Sequence, residues 1–347
     1  MTTKTFSKSS IPVLTQEHEL NKHDYPITPG ENLMRALSHE KPLWMPNLYG
    51  DSQIPPWLDT TVKIPGPGYD FKDWFGVGCK YSEAQGSATP VVPALSEVSK
   101  WETELVWPDL KNYDLATPNP DFVRDPTRLL YTWNPLSCFQ QLFVLEGFEQ
   151  ALIDLISEPK KCRELFEALI DFGCKVFDEI NKAYNFDYVF YSDDWGTMRA
   201  PFFSVDLMKE TLLSPTIRAV RHIKESGTKV LFHNCGMIDD FLPYIIEEVQ
   251  PDAMDLQWIN DIKGFMKKYG SSVTLDIQRP DELFFFDPNT SIDDIRAKAR
   301  EYVDIYGATA MPGSGGVMVH NSLDLERANA FWDELYKYSL EEYRIMI

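Results

Sequence analysis

Lys229-Val-Leu-Phe-His-Asn-Cys-Gly236 is the stretch on which the reading of this chain turns. Lys229 to Phe232 has the short apolar, β-favouring texture of a buried strand. His233 and Cys235 follow one residue apart, and Gly236 then permits a sharp turn. Asp239 is placed to cap a helix running to Val249. A nitrogen donor and a sulfur donor thus share the loop between a strand and a helix, and zinc favours that donor pair. The plainer alternative is a buried thiol beside a histidine bonded to the backbone. Two residues alone do not complete a metal site, which takes three or four protein ligands.

Outward from this stretch, strand and helix patterns alternate. Asp187–Tyr191, Asp252–Leu256, Ser272–Ile277 and Ala308–Met311 read as further strands. Between and around them, helices are expected over Phe148–Ser157, Pro159–Tyr184, Ser204–Gly227, Ile262–Tyr269, Ser291–Tyr306 and from Leu323 onward. Ser291 with Asp294 makes a capping box, and Pro159 sits at a first helical turn. Repeating β-α units specify a parallel sheet, and five such strands in the second half point to a closed (β/α)₈ barrel of the α/β class, with the whole chain as one domain. Nearer the start, residues 1–30 read as an arm, Glu31–His39 as a helix and Pro42–Pro46 as a first strand. Residues 47–135, rich in Pro, Gly, Asp and Trp, read as a loop-rich elaboration over the substrate face.

The chain has 347 residues, 44% hydrophobic and 13% aromatic, enough for a large core. Its 53 acidic against 33 basic residues give a formal charge of −20, which argues against nucleic acid or an anionic membrane as partner. No apolar run approaches the ~20 residues of a membrane span, and the first residues lack the apolar core of a secretory signal. Cys79, Cys138, Cys162, Cys174 and Cys235 are scattered and odd in number, as expected of reduced thiols in a cytoplasmic protein.

Each reactive candidate lies just beyond a strand's C-terminal end, where parallel α/β folds place their chemistry. These are Asp193 and Asp194, then His233 and Cys235, then Gln257, Trp258 and Asn260, then Asp276 to Arg279, and last the Pro312–Gly316 loop with His320. Asp193 or Asp194 could serve as a general acid, one raised by the other's charge, although strand geometry turns adjacent side chains opposite ways, so only one should reach a substrate. The plain reading of such a pair is a turn in which one residue caps the next segment. Trp195, Phe202, Phe203, Trp258 and Phe284–Phe286 could line an apolar pocket, with Asp276 and His320 as its polar groups, or could equally be core.

Ser192-Asp-Asp-Trp-Gly-Thr197, the Lys229–Gly236 stretch, and Ile305-Tyr-Gly-Ala-Thr-Ala-Met-Pro-Gly-Ser314 followed by Asn321 and Glu326 together resemble the uroporphyrinogen decarboxylase superfamily, in particular its corrinoid-dependent methyltransferase branch. Asn32–Leu37 before Pro42 and Asp73–Val77 add weaker matches. The resemblance implies a (β/α)₈ barrel and transfer of a methyl group between a small methylated compound, a methoxylated aromatic being favoured, and the cobalt of a corrinoid carried by a partner protein. The chain itself has no Asp-x-His-x-x-Gly cobalamin motif. The decarboxylases carry arginines after a Pro-x-Trp-Met stretch to bind a polycarboxylate. Here Pro42-Leu-Trp-Met45 is followed by Pro46–Ser52 with no arginine, which disfavours that substrate.

The methyltransferase branch holds zinc through His-x-Cys and a later cysteine. His233 and Cys235 match two of these ligands, but Ser314 stands at the third. Three outcomes are open: another group such as Asp255, Asp276 or a glutamate completes the set, His320 does, or the metal is lost. The alternatives to methyl transfer are decarboxylation of some other small acid and an inactive barrel that docks a corrinoid protein.

Overall fold

In the computed structural model, Lys229–Asn234 is a strand (β7) in the middle of a seven-stranded, all-parallel sheet. The structure describes residues 23–48, 50–55, 70–82, 87–278, 284–285, 287–313 and 325–345. The sheet runs in chain order from β1 (Ser52–Gln53) through β5 (Leu129–Trp133), β6 (Tyr188–Ser192) and β7 to β8 (Ala253–Gln257), β9 (Thr274–Gln278) and β10 (Ala310–Gly313). Three antiparallel strands, β2 (Asp70–Lys72), β3 (Gly78–Ser82) and β4 (Ser87–Val92), make a separate small sheet. Among the described residues the sheet is open and TIM-like, seven strands of the expected barrel with no pairing of β10 with β1 to close it.

The eighth strand, expected over Pro42–Pro46, does not form, and the reason is local. The buried Asn32 side chain, on α1 (Pro29–Leu37), accepts from Leu43 N–H and donates to the Trp44 carbonyl. The N–H of Met45 donates to the hydroxyl of Ser339. Side chains thus take the backbone groups that a sheet ladder would need. A strand instead arises at Leu129–Trp133, inside the stretch expected to be loop-rich, and pairs with both β1 and β6.

Each face of the sheet has its own partners. Val189, Tyr191, Val230, Phe232, Met254, Leu256, Leu275 and Ile277 point to one side and pack with α5 (Pro159–Tyr184) and α7 (Leu213–Glu225) through Phe166, Ile170, Phe177, Val220 and Ile223. Full burial of such side chains is worth about 1.5–3 kcal/mol each, and this outer layer carries much of the stability. The alternate residues Tyr188, Phe190, Leu231, Ala253 and Met311 face the other way and cluster with Leu33, Met45, Phe331 and Leu335. Strands buried on both faces read as nearly continuous apolar runs, which is why they are visible in the sequence.

Helices α5, α9 (Ile262–Tyr269) and α10 (Ile292–Tyr306) occupy their expected places, α10 behind the Ser291–Asp294 capping box. The helix expected from Ser204 is interrupted at Leu212, giving α6 (Val205–Thr211) before α7. That expected up to Val249 is only a turn, Leu242–Tyr244, that widens into a π turn over Ile245–Val249. Two helices lie directly before α5, α3 (Phe139–Glu146) and α4 (Phe148–Ser157), of which only α4 is expected from the sequence. No helix among the described residues is long and apolar enough to cross a membrane.

Candidate metal centre

Strand register lines up the inner-face residues at the carboxyl ends of the strands. Ser192 lies beside His233, His233 beside Asp255, Asp255 beside Asp276, and Asp276 beside Met311. Asn234, between His233 and Cys235, points the opposite way and is fully buried. Its amide accepts from Trp195 N–H and donates to the Asp193 carbonyl, so it pins the β6 loop from behind. Gly236 closes the turn with φ of 90°, a conformation that costs a residue with a Cβ, and a Cβ there would fall on the backbone of Gly196. The β6 and β7 loops therefore touch backbone to backbone, with Met237 N–H donating to the Thr197 carbonyl at 2.7 Å.

This clamp turns Asp193 and Asp194 apart. Asp193 is fully buried, and its carboxylate accepts from the N–H groups of Cys138, Phe139 and Gln140 at 3.2, 3.1 and 2.7 Å. It therefore caps the first turn of α3 from a different element, a use of a carboxylate that the helix dipole favours. Burial pushes its acid up to about 6, against the pull of those amides. Asp194 points to the β7 loop: its Oδ1 accepts from Cys235 N–H at 3.1 Å and stands 3.6 Å from His233 Nε2.

His233 Nε2 is also 3.2 Å from Cys235 Sγ, and one donor atom from each of Asp194, His233 and Cys235 lies within 4.8 Å of the others. Donors around a tetrahedral ion at ~2.0–2.3 Å stand roughly 3.3–3.8 Å apart, and the two distances from His233 Nε2 are close to that spacing. The donor set, one imidazole, one thiol and one carboxylate, suits zinc. Gln257 donates to Cys235 Sγ at 3.6 Å and accepts from Gly236 N–H, steadying the sulfur.

Behind the imidazole, Nδ1 faces Asp255 Oδ1 at 3.4 Å. Burial draws the His233 imidazole down, but the Asp255 carboxylate and Cys235 outweigh it and hold the ring well above its ordinary value. Asp276 is fully buried; burial first, then the neighbouring Asp255, raise its acid well above the usual range, with His233 opposing.

The other expected site residues are distributed differently. Trp195 is fully buried against Phe203, Phe232 and Phe241 in the outer layer, so its ring faces helices and not the donor cluster. Phe202 and Phe203 pack there against Phe139. Trp258 is 55% exposed, on the loop after β8. Ser314 and His320 lie outside the described residues, as do Arg279 and Phe286. The aromatic wall beside His233 is instead Phe190, 5.4 Å away ring to ring, with the half-buried Trp133 against it at 4.3 Å. Trp133 ends β5 within the Pro- and Gly-rich region, whose sequence carries no clear strand pattern.

The family model for uroporphyrinogen decarboxylase (URO-D) matches residues 135–333, more than half of the chain. The chain belongs to the uroporphyrinogen decarboxylase family. A solved methyltransferase from Methanosarcina mazei superposes on it with a TM-score of 0.61 at 12% identity, covering 89% of this chain and 98% of that one, and so shares the fold. A sugar phosphate isomerase/epimerase from Parabacteroides distasonis aligns at a TM-score of 0.33 and 14% identity, over 60% of this chain and 76% of its own. No curated protein matches the sequence.

Proposed function

We propose that this member of the uroporphyrinogen decarboxylase family is a methyltransferase that moves a methyl group between a small methylated compound and the cobalt of a corrinoid carried by a partner protein. The observation that carries the reading is the convergence of Asp194, His233 and Cys235, which supplies three zinc donors although Ser314 stands where the branch has a cysteine. Asp194 replaces the thiolate by a carboxylate and is drawn into place by Cys235 N–H and the Asn234 clamp. A zinc ion held there would act as a Lewis acid on the oxygen that loses its methyl group.

The chain's own residues set the rest of the reaction. Breaking the methyl–oxygen bond leaves the electron pair on oxygen while the methyl group passes to cobalt. Phe190 and Trp133 form an apolar wall beside the donors that suits a methoxylated aromatic. The fold shared with a methyltransferase and the absence of arginine from Pro46 to Ser52 both support this reading over decarboxylation of a polycarboxylate.

The test is single-turnover transfer, with zinc-supplemented protein, a panel of methoxybenzoates and Co(I) corrinoid, followed by the absorbance of the corrinoid. Conversion to the methylated form with release of the phenol is the expected result. Carbon dioxide release without any change in cobalt would establish a decarboxylase. Corrinoid-protein affinity without turnover would establish a binding barrel.

A further inference from the structure

The inner-face row continues past the donor cluster into a part of the molecule that the proposed reaction does not use. Asp255 and Asp276, 1% and 0% exposed, present carboxylate oxygens with no hydrogen-bond partner, and His233 Nδ1 has none either. Buried polar atoms in native proteins are almost always paired, so three orphaned groups side by side call for an explanation. His233 Nδ1 and Asp255 Oδ1 face each other at 3.4 Å, on residues that the β7–β8 ladder holds in register. The other ring nitrogen, Nε2, faces Cys235 and Asp194. The imidazole therefore has two distinct ends, one toward the metal donors and one toward a carboxylate.

We infer that Asp255 is the positioning residue of the metal centre: it receives Nδ1–H of His233 and so presents the Nε2 lone pair to the ion. The role rests on the metal reading above, and a carboxylate behind a ligating imidazole fixes both the tautomer and the ring orientation. Asp276 has a different place. It lies one strand further on, beside Asp255, and unlike Asp255 it makes no close contact with a ring nitrogen of His233. It is equally buried and carries the same functional group, so it is a built-in control for the general effect of an acid at this depth.

The test measures zinc affinity by chelator competition for the wild type and for Asp255→Ala, Asp255→Asn and Asp276→Asn, each checked for folding by its melting curve. The imidazole N–H resonance of the zinc-loaded protein is recorded alongside. Removing the carboxylate at 255 is expected to lower zinc affinity by about 10- to 100-fold and to abolish a downfield, slowly exchanging Nδ1–H resonance. Asp276→Asn is expected to change affinity by less than about threefold and to keep that resonance, because no bond joins it to the ring.

Unchanged affinity in both Asp255 variants would overturn the inference while leaving the metal site intact. Equal losses at 255 and 276 would also overturn it, in favour of a general electrostatic effect. A wild type that takes up no zinc would remove the metal reading itself, and the inference with it.

Discussion

Asp193 and Asp194 are neighbours in sequence and opposites in use. Asp193 faces the helical layer, where its two oxygens accept three backbone amides at the start of α3 and nothing is left for a ligand. Asp194 faces the inner side, where it accepts one amide and stands beside an imidazole and a thiol. The same contrast holds for the two faces of the sheet. The outer one is apolar and packed on α5 and α7, whereas the inner one gathers His233, Asp255 and Asp276 in a row with atoms unpaired. At the carboxyl ends of the strands, the acid consumed by backbone amides holds the fold, and the groups left unmatched stand beside the donor cluster.

The contrast can be broken most forcefully at its outer member. Asp193→Ala leaves three buried amides without their carboxylate and should destabilise the protein by about 3 kcal/mol, read as a lower urea midpoint. Asp194→Ala should change the stability of the zinc-free protein by less than about 0.5 kcal/mol, since its carboxylate is partly exposed. If both variants lose equal stability, the division of labour is wrong. Gly236→Ala comes next. Its positive φ and the approach of Gly196 should cost about 2 kcal/mol and displace Cys235, which thiol-reactivity kinetics would register as faster labelling.

A buried acid in the outer layer sharpens the comparison through pH. Glu146, on α3, is buried with both carboxyl oxygens unpaired, and burial, then the neighbouring Asp154, push it to about 9. Because the folded value lies above the unfolded one, the native state holds the extra proton. The stability this provides is complete below about pH 4.5 and is lost as pH rises toward about 9. Glu146→Gln should remove that part of the slope and raise the melting temperature at pH 8 more than at pH 5. Equal shifts at both pH values would refute the assignment. The smallest effect is expected of Trp258→Ala: exposed on the β8 loop, it should alter stability by less than about 0.5 kcal/mol. Any change in transfer rate would then report contact with substrate or partner.

Much of the second half of the chain was legible because period and punctuation agree there. Pro159 at a helix start, the Ser291–Asp294 box and the apolar runs at β6 to β9 are local signals that tertiary packing did not override. Pro42–Pro46 failed because a distant side chain, Asn32, captures its backbone, which no local pattern reveals. Leu129–Trp133 was missed for the converse reason: its strand depends on β1 and β6 for partners and sits in Pro-rich surroundings. At the site, His233 and Cys235 declared themselves by type and spacing. Asp194 was visible as a reactive group, but its place beside them follows from the Asn234 clamp and the Gly236–Gly196 approach, which exist only once β6 and β7 are paired.

The most direct test is the metal content of protein purified without added metal, for the wild type and for Asp194→Ala, His233→Ala and Cys235→Ala, with Trp258→Ala as the folded control. The account predicts about one zinc per chain in the wild type and the control, and loss in each of the three site variants. A wild type without metal, or an Asp194→Ala protein that keeps its zinc undiminished, would contradict it.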